Sequence, residues 1–402
     1  MKKRTLCIFL ILQLKLLFGL ALANASDANY PQSKYKLASI LSSNPPQLKA
    51  GYSAPLAGLN EDCIHLPWRK LDSSKVSNIT PLKPQQTMRA ITLSQFGGTE
   101  NLQLTAIPMP TVKADEILVK VKAISISPVD AITRQGKGLA PFFEADQPII
   151  LGWGISGVVT EVGAHVLNFK AGDAVFSMVN FPGQGKGYAE FVAVPELQAA
   201  HKPASISHAE SVSISMSGLT AWQAFTLFGK LKKGDRVLIQ GAGGGVGHYA
   251  VQIAKHLGAY VIAIDAARKR DFVLSLGADA YIDYQSQRFD EIIQDIDFAL
   301  ISIQGDSFDR SLKVLKAGAT VVSLVGGISP QSMVKAKEKG LKGSFHMGVK
   351  TSVKDLDILA DLLDKGVVKS YISHRYQFSQ MAEAHTQIAT GQTTGKIVVA
   401  IE

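Results

Sequence analysis

The stretch "VLIQGAGGGVGHYAVQIAKHLGA", residues 237–259, decides the fold of this chain. It joins an apolar run to a helical pattern through five glycines in the seven positions 241–247. The apolar run predicts a buried strand, and the apolar residues after the glycines recur at helical spacing as far as Gly258. A strand, a glycine-rich turn and a helix in direct succession indicate an α/β fold.

The predicted secondary structure differs between the two sides of this stretch. Downstream, the strand patterns "YVIAI", "AYIDY", "FALIS" and "TVVSLVG" alternate with helices that end near Leu276 and Leu315, and a last amphipathic helix covers 351–365. This alternation predicts a doubly wound parallel sheet with helices on both faces. Upstream, residues 88–200 hold short strand patterns such as "EILVKVKAISI", which indicate a β-rich module, and "GKIVVAIE" ends the chain as a strand.

Composition limits the possible functions. The chain has 402 residues, of which 46% are hydrophobic and 19% charged, which is typical of a globular protein of two domains. Its net charge is +9, but residues 1–87 contain eleven Lys/Arg against four Asp/Glu, which accounts for +7. The remainder gives no indication of a nucleic-acid partner. Two cysteines, Cys7 and Cys63, provide neither a disulfide framework nor a cysteine zinc site.

The glycine turn predicts a dinucleotide site. A strand that enters a helix through small residues allows backbone amides at the helix N-terminus to receive a pyrophosphate. Ala242, Gly244 and Gly247 occupy the positions for a tight turn, close phosphate approach and helix-on-strand packing. The other glycines of the turn are expected only to widen it: Gly241, Gly243 and Gly245. The alternative is a purely structural glycine turn.

The end of the second strand bears on which dinucleotide is bound. Asp265 suits the ribose 2′-hydroxyl of NAD, whereas Arg268, Lys269 and Arg270 suit the 2′-phosphate of NADP. Three adjacent cations in the first turn of a helix oppose its dipole, which argues against a purely local stabilising role. The sequence therefore favours NADP, with a solvated basic face as the alternative.

Residues 88–402 resemble the medium-chain dehydrogenase/reductase superfamily, specifically its zinc-independent quinone reductase and enoyl reductase branch. The motifs that carry the resemblance occur in the family's order: "MRAITLSQFGG", "SPVDAITRQG", "GYAEFVAVP", "GLTAWQAF", "GAGGGVGHYAVQIAK", "SLGADAYIDY" and "TTGKIVVAIE". The resemblance implies a GroES-like catalytic domain, 88–208 with 366–402, and a Rossmann domain, 209–365, with the nucleotide in the cleft between them. It also implies a homodimer.

In similar NADP-dependent members, a lysine at the start of a helix and a tyrosine that follows the next strand approach the 2′-phosphate. These positions correspond to Lys269 and Tyr284. The full set of predicted cofactor-binding residues is Gly241, Ala242, Gly244, Gly245, Val246, Gly247, Arg268, Lys269, Tyr284, Val325, Gly326 and Lys396.

The zinc ligands of the alcohol dehydrogenase branch have no counterparts in this chain. Ser127 stands where that branch has a cysteine before Asp130, and Trp153-Gly154 replaces a His-Glu pair. We therefore expect no metal site, because zinc requires thiolate, imidazole or carboxylate ligands in a cluster. Lone histidines such as His201 and His385 are expected to be surface or structural residues. Trp153 is compatible with either an apolar substrate cleft or the core.

The absence of a metal favours activated acceptors. Reduction then depends on positioning and on hydrogen-bond donors to a developing oxyanion, which suits a quinone or an α,β-unsaturated carbonyl. Ser127, aligned with a family Asn, and Thr220 are the predicted catalytic residues beside the nicotinamide, unless they are only turn or helix-start residues. A tyrosine of some quinone reductases is replaced by Ile132, so the sequence identifies no proton donor. Asp130 and Arg134, four residues apart, are expected to pair and support Ser127.

The sequence therefore predicts an NADPH-dependent, zinc-independent oxidoreductase. The alternative is a catalytically silent NADPH-binding sensor or interaction protein of the same fold. The intact glycine turn favours the enzyme, whereas the missing tyrosine and Ser127 favour the silent protein.

The N-terminus and the cofactor point to different compartments. Residues 1–25, "MKKRTLCIFLILQLKLLFGLALANA", have a basic start, an apolar run and a small-residue end, as in a secretory signal peptide. Lys15 interrupts the run, which argues against a membrane span. Residues 26–87 form a spacer of low predicted order, and the alternatives are a start at Met88 or another kind of leader. Because NADPH is made and kept in the cytoplasm, the predicted cofactor favours a cytoplasmic location over a periplasmic or secreted one.

Overall fold

The computed structural model describes residues 86–143, 147–326, 328–344 and 347–402. The predicted leader, nearly all of the predicted spacer and both cysteines lie outside the described residues. Within the described ranges, no helix is both long enough and apolar enough to cross a membrane.

The described residues form fifteen strands and nine α-helices. The strands are β1 (Thr87–Leu93), β2 (Leu102–Pro108), β3 (Glu116–Ile126), β4 (Gly154–Val162), β5 (Ala174–Met178), β6 (Phe191–Pro195), β7 (Ala199–His201), β8 (Arg236–Gln240), β9 (Tyr260–Asp265), β10 (Ala280–Asp283), β11 (Ile296–Ile301), β12 (Leu315–Ser323), β13 (Lys342–Ser344), β14 (Ile372–Gln377) and β15 (Lys396–Ala400). The helices are α1 (Pro128–Arg134), α2 (His208–Gln223), α3 (Gly247–His256), α4 (Arg270–Ser275), α5 (Phe289–Ile292), α6 (Ser307–Val314), α7 (Pro330–Glu338), α8 (Val353–Asp364) and α9 (Met381–Ala389).

The second half of the chain forms a six-stranded parallel sheet in the order β10-β9-β8-β11-β12-β13. This is the strand order of a Rossmann domain, and it confirms the predicted doubly wound α/β fold. The order reverses between β8 and β11, which opens a crevice at the carboxyl ends of these strands. The glycine turn follows β8 and therefore lies at that crevice.

Alternating residues of β8 pack on opposite faces of this sheet. Val237 and Ile239 belong to one buried cluster together with Ile253 of α3. Leu238 belongs to the other cluster, together with Phe308 of α6. Both faces of the central strand are therefore covered by helices, which explains its continuous apolar sequence.

The rest of the described chain forms a GroES-like domain around a seven-stranded sheet, β14-β15-β3-β4-β5-β7, with β6 also paired to β3. The last strand, β15, comes from the end of the chain and runs antiparallel to β3, with Ile397 opposite Ile126. This register brings the start of β15 beside Ser127, the residue that follows β3. The boundaries 88–208 with 366–402 and 209–365 stay a prediction.

The helix α2 was not predicted from the sequence. Ser207 caps its N-terminus by accepting a hydrogen bond from the Glu210 backbone N–H. Every residue from Ser211 to Ala221 is buried, so its apolar residues form no single stripe. Without a polar face, the helix lacks the periodicity by which amphipathic helices are found.

Candidate active site

The glycine turn between β8 and α3 has a buried side and a partly exposed side. Ala242, Gly243 and Gly247 are buried, whereas 244–246 are partly exposed. A methyl group on Gly247 would lie 2.0 Å from the Gly241 carbonyl oxygen, so α3 packs directly on the turn. A methyl group on Gly245 would meet nothing closer than 3.6 Å. The backbone at 244–246 therefore faces open space at a helix N-terminus, an arrangement that fits the pyrophosphate of a dinucleotide.

Two glycines that were expected only to widen the turn have specific structural roles. Gly241 has a φ of +64°, in the left-handed region that glycine enters without strain. The backbone N–H of Gly243 donates to Asp265 Oδ2 at 2.8 Å, and a methyl group on Gly243 would lie 2.9 Å from Lys269 Cδ. That part of the prediction was wrong, because the turn needs these glycines for its conformation and for close packing.

The carboxylate of Asp265, at the end of β9, accepts hydrogen bonds from the protein's own backbone. Its Oδ2 accepts from Gly243, and its Oδ1 accepts from the backbone N–H of Ala266 at 2.8 Å. Lys269 Nζ lies 3.6 Å from Oδ1, and both side chains are almost fully buried. The carboxylate is thus engaged by two backbone donors and a cation.

The three predicted 2′-phosphate residues differ in exposure. Lys269 is 6% exposed, and its Nζ donates to the Thr393 carbonyl oxygen at 3.1 Å, a partner that sequence reasoning missed. Arg268 is exposed, and Tyr284 is 45% exposed. The Tyr284 backbone N–H donates to the Asp265 carbonyl oxygen at 3.3 Å. The structure therefore brings Tyr284 to the end of β9, while Lys269 faces inward.

The segment that precedes β15 touches the glycine turn from the other domain. The Gly395 backbone N–H donates to the Gly243 carbonyl oxygen at 2.9 Å. Lys396 follows, is 2% exposed, and its Cδ lies 3.6 Å from the position of a methyl group on Gly245. Its Nζ donates to Ser127 Oγ at 3.0 Å and to the Ile126 carbonyl oxygen at 3.2 Å. The structure thus joins a predicted cofactor residue to a predicted catalytic residue.

Ser127 precedes α1 and is 5% exposed. Its backbone N–H donates to Asp130 Oδ2 at 2.9 Å, which fixes the first turn of α1. Burial raises the pKa of the Asp130 carboxyl group to about 6, against the lowering effect of the Ser127 N–H, the Tyr188 hydroxyl and Lys396. Burial lowers the pKa of Lys396 to about 8, while Asp130 raises it.

Arg134 does not pair with Asp130, contrary to the prediction. Its Nε donates to His385 Nδ1 at 3.2 Å, and its Nη1 donates to the Gly97 carbonyl oxygen. His385 Nε2 lies 2.9 Å from Tyr188 Oη, and the pKa of His385 is lowered to about 3, mainly by burial. The prediction of an Asp130–Arg134 pair is wrong, because the Arg134 guanidinium binds His385, which lies 251 residues away in the sequence.

Thr220 lies in α2 and is 9% exposed. Its hydroxyl donates to the Met216 carbonyl oxygen at 2.8 Å, within the same helix. Since this bond uses the hydroxyl hydrogen, Thr220 is left with oxygen lone pairs for a ligand. Its catalytic role stays a prediction.

Val325 and Gly326 follow β12 at the carboxyl edge of the parallel sheet. The Ser323 hydroxyl donates to the Val325 carbonyl oxygen at 2.8 Å, and Gly326 is exposed. The positions are compatible with contact to a bound cofactor, which stays a prediction.

Trp153 belongs to the core. It is fully buried, its Nε1 donates to the Gly183 carbonyl oxygen at 2.6 Å, and its ring packs edge-on against Phe143 and Phe181. The core interpretation, one of the two that the sequence left open, is the one that fits the structure.

The comparisons with known proteins agree with this architecture. A model of the alcohol dehydrogenase GroES-like domain matches residues 113–204, and a zinc-binding dehydrogenase model matches residues 276–399. A chloroplast envelope quinone oxidoreductase homolog of Arabidopsis thaliana is 32% identical over 78% of this chain and 98% of its own length. This chain belongs to the medium-chain dehydrogenase/reductase family.

Other members of the family support its quinone oxidoreductase-like branch. An NADPH-dependent alkenal/one oxidoreductase from Arabidopsis thaliana is 32% identical over 78% of this chain and 79% of its own length. The solved structure of the quinone oxidoreductase from Coxiella burnetii matches with a TM-score of 0.75 and 32% identity over 79% of this chain and all of that chain. The predicted family is confirmed.

One of the two matched family models describes zinc-binding dehydrogenases, whereas the sequence predicts no metal site. Among the described residues, no group of three or more His, Cys, Asp and Glu side chains is arranged to hold a metal ion. The position expected for a ligand cysteine is occupied by Ser127, whose hydroxyl accepts from Lys396. Zinc independence stays a prediction to be tested by chelation.

Proposed function

We propose that this protein is an NADPH-dependent reductase of quinones or α,β-unsaturated carbonyl compounds. The observation that carries the proposal is the hydrogen-bonded pair Lys396–Ser127, buried beside the open side of the glycine turn. The pair would offer a cation and a hydroxyl to a substrate oxygen that gains negative charge. The names of the relatives, a quinone oxidoreductase homolog and an alkenal/one oxidoreductase, support the same substrate classes.

The chain's own residues hold the cofactor and stabilise the oxyanion. When bound, the nicotinamide dinucleotide supplies a hydride to the acceptor. The turn at 244–246 and the N-terminus of α3 would hold its pyrophosphate, and Val325 and Gly326 would line its path along the sheet edge. The Ser127 hydroxyl would donate a hydrogen bond to the carbonyl oxygen of the substrate, and Lys396 would add positive charge behind it.

We propose NADPH rather than NADH as the preferred cofactor. Asp265 would have to accept from a ribose 2′-hydroxyl to favour NAD, but both of its oxygens accept backbone N–H groups and Lys269 lies beside it. The exposed Arg268 guanidinium and Tyr284 hydroxyl remain for a 2′-phosphate. A guanidinium binds phosphate by charge-assisted hydrogen bonds.

Homodimer formation remains part of the proposal. β13, at the edge of the parallel sheet, pairs with β12 through Thr320, Val321 and Val322, and no other described strand covers its outer edge. Sedimentation velocity of the full chain would show one species of twice the monomer mass, and a monomer at micromolar concentration would contradict it.

The function is tested by following NADPH oxidation with a panel of quinones and enones. We expect turnover with acceptors that carry a carbonyl conjugated to a double bond and none with simple alcohols and NADP⁺. NADPH binding is measured separately by fluorescence titration. Binding without turnover on every acceptor would establish the silent NADPH-binding protein instead. The same assay after chelation tests zinc independence, and we expect unchanged rates.

A further inference from the structure

We propose that Lys396 is the proton source of the reduction, and that it delivers its proton to the substrate oxygen through the hydroxyl of Ser127. The inference rests on the proposed function and adds to it the proton donor that the sequence does not identify. In this scheme Ser127 is a catalytic residue, and Lys396 is a positioning and proton-supplying residue that acts through it.

The sheet register creates the pair. Ile397 of β15 lies opposite Ile126 of β3, so the residues next to them, Lys396 and Ser127, meet at the end of the two strands. Lys396 Nζ donates to Ser127 Oγ at 3.0 Å and to the Ile126 carbonyl oxygen at 3.2 Å. Because Ser127 Oγ accepts from an ammonium group, its own O–H is free to donate away from the lysine. The hydroxyl can therefore relay a proton in one direction.

The proton balance requires such a group. Hydride addition to an enone or a quinone places two electrons on the acceptor and leaves an enolate or a hydroquinone monoanion. The Ser127 O–H bond breaks as its proton goes to that oxygen, and an N–H bond of Lys396 breaks as its proton goes to Ser127 Oγ. The product leaves as an enol or hydroquinone, and the neutral Lys396 amine recovers a proton from solvent. Only the acceptor and the nicotinamide dinucleotide change oxidation state.

The charges around Lys396 suit a proton donor. Asp130 on α1 raises the pKa of Lys396, and Lys396 in turn lowers the pKa of His248 on α3. The Tyr188 hydroxyl acts on Asp130. Burial lowers the pKa of His248 to about 4, so it is neutral at pH 7. Asp130, with a pKa of about 6, is largely ionised there. A lysine whose pKa is about 8 is mostly charged at pH 7 but releases a proton far more readily than a surface lysine.

A chain of hydrogen bonds links Arg134 through His385 to Tyr188, whose hydroxyl acts on Asp130. Arg134 Nε can only donate, so His385 Nδ1 accepts, and the remaining hydrogen of this neutral histidine lies on Nε2. His385 Nε2 then donates to Tyr188 Oη at 2.9 Å, which leaves the Tyr188 hydroxyl hydrogen for Asp130. The Tyr188 hydroxyl lowers the pKa of Asp130, so the chain favours the carboxylate that faces Lys396.

The alternative is that Lys396 serves only to bind the cofactor through its charge. That role needs a permanent cation, whereas the relay needs a cation that can lose its proton. Arginine separates the two, because its guanidinium keeps its charge at every accessible pH. Lys396→Arg therefore preserves a purely electrostatic contact and blocks the relay.

The first measurement is independent of turnover. The full-chain protein is labelled with ¹³C at lysine Cε and its NMR signals are followed against pH. The signal that is absent from the spectrum of Lys396→Met is assigned to Lys396. We expect it to titrate with a midpoint near 8, far below the bulk of the lysines, and to shift further down in Asp130→Asn, which removes the neighbouring charge. A midpoint at 10 or above would overturn the proposal.

The second measurement uses the pH profile of kcat. In the wild-type enzyme, kcat should fall as pH rises through about 8, because deprotonated Lys396 cannot supply a proton. We expect Lys396→Met and Lys396→Arg each to lower kcat by about 10²-fold or more, with that limb of the profile lost and the NADPH Kd of Lys396→Arg changed less than about threefold. The matched control is the exposed Lys365, directly after α8, and Lys365→Met should match the wild type.

A double variant tests whether the two residues act as one unit. Ser127→Ala should lower kcat about as much as Lys396→Met, and the double variant should be no slower than either single variant. A kcat of Lys396→Arg close to that of the wild type would reject the relay while the reductase function stands. So would a double variant whose loss in kcat is the product of the two single losses. Absence of turnover in the wild type on every acceptor would reject both, and NADPH titration of each variant verifies that it is folded.

Discussion

At the scale of single residues, Arg268 and Lys269 are neighbours with opposite environments. Lys269 is buried between Asp265 and the Thr393 carbonyl oxygen, so it links the glycine turn to the C-terminal segment. Desolvation lowers the pKa of Lys269, against the raising effect of Asp265. Arg268 points to the surface. In this arrangement Arg268 has the freedom to bind a phosphate, whereas Lys269 supports the turn on which the cofactor would rest.

We predict that Arg268→Ala weakens NADPH binding about tenfold or more and leaves NADH binding within about twofold. A charge-assisted contact to phosphate contributes about 1.5–3 kcal/mol, and NADH lacks the 2′-phosphate. Fluorescence titration of both cofactors measures the two dissociation constants. As a control, Lys365→Ala removes an exposed cation directly after α8 and should change neither dissociation constant. Equal weakening of NADPH and NADH would contradict the NADP assignment.

At the scale of the element, the turn between β8 and α3 divides its glycines by function. Gly247 is required by the fold, because any side chain there would strike the Gly241 carbonyl oxygen. Gly245 has room for a methyl group in the folded chain. If the turn holds a pyrophosphate, the ligand occupies the space beside Gly245. Substitution by alanine should therefore affect cofactor binding at Gly245 and folding at Gly247.

We predict that Gly247→Ala destabilises the fold by about 1–3 kcal/mol, because the methyl group forces the helix and the turn apart. Gly245→Ala should unfold at nearly the wild-type temperature but bind NADPH at least about tenfold more weakly. Thermal unfolding and cofactor titration of the two variants measure both effects. Unchanged NADPH affinity in a folded Gly245→Ala would show that the open side of the turn holds no cofactor.

At the scale of the whole molecule, three histidines are kept neutral by burial. Desolvation lowers the pKa of His208 and of His248 to about 4, and that of His385 to about 3. In an unfolded chain each would have a pKa near 6.5. Between pH 6.5 and 4 the unfolded chain therefore binds protons that the folded chain does not. Asp130 acts in the opposite direction between about pH 6 and 3.8, because its pKa is raised on folding.

We predict that the free energy of unfolding falls as pH drops from 7.5 to 5.0, since three histidines outweigh one carboxyl group. Urea unfolding at the two pH values measures the change. His385→Gln supplies the comparison, because an amide can accept from Arg134 and donate to Tyr188 without titrating. Its stability should depend less on pH than that of the wild type. A wild-type stability that is equal or higher at pH 5.0 would refute the prediction.

Much of the architecture was predictable because it depends on local patterns. The strand, glycine turn and helix at 237–259, the alternation after them and the β-rich first half all follow from periodicity and turn residues. The motif positions also predict which residues would surround a cofactor, and that stays a prediction. By contrast, α2 escaped prediction because it is buried on all sides, and Gly241 and Gly243 were assigned too small a role.

The sequence by itself determined the fold class, the family and the absence of cysteine ligands at the expected zinc positions, because each is a property of residue type and local spacing. Only the tertiary structure decided that Lys396 contacts Ser127. It also decided that Arg134 pairs with His385 and not with Asp130. The inward direction of Lys269 is a third such result. These contacts join segments more than 100 residues apart. Their partners are chosen by strand register and burial, which no local pattern encodes.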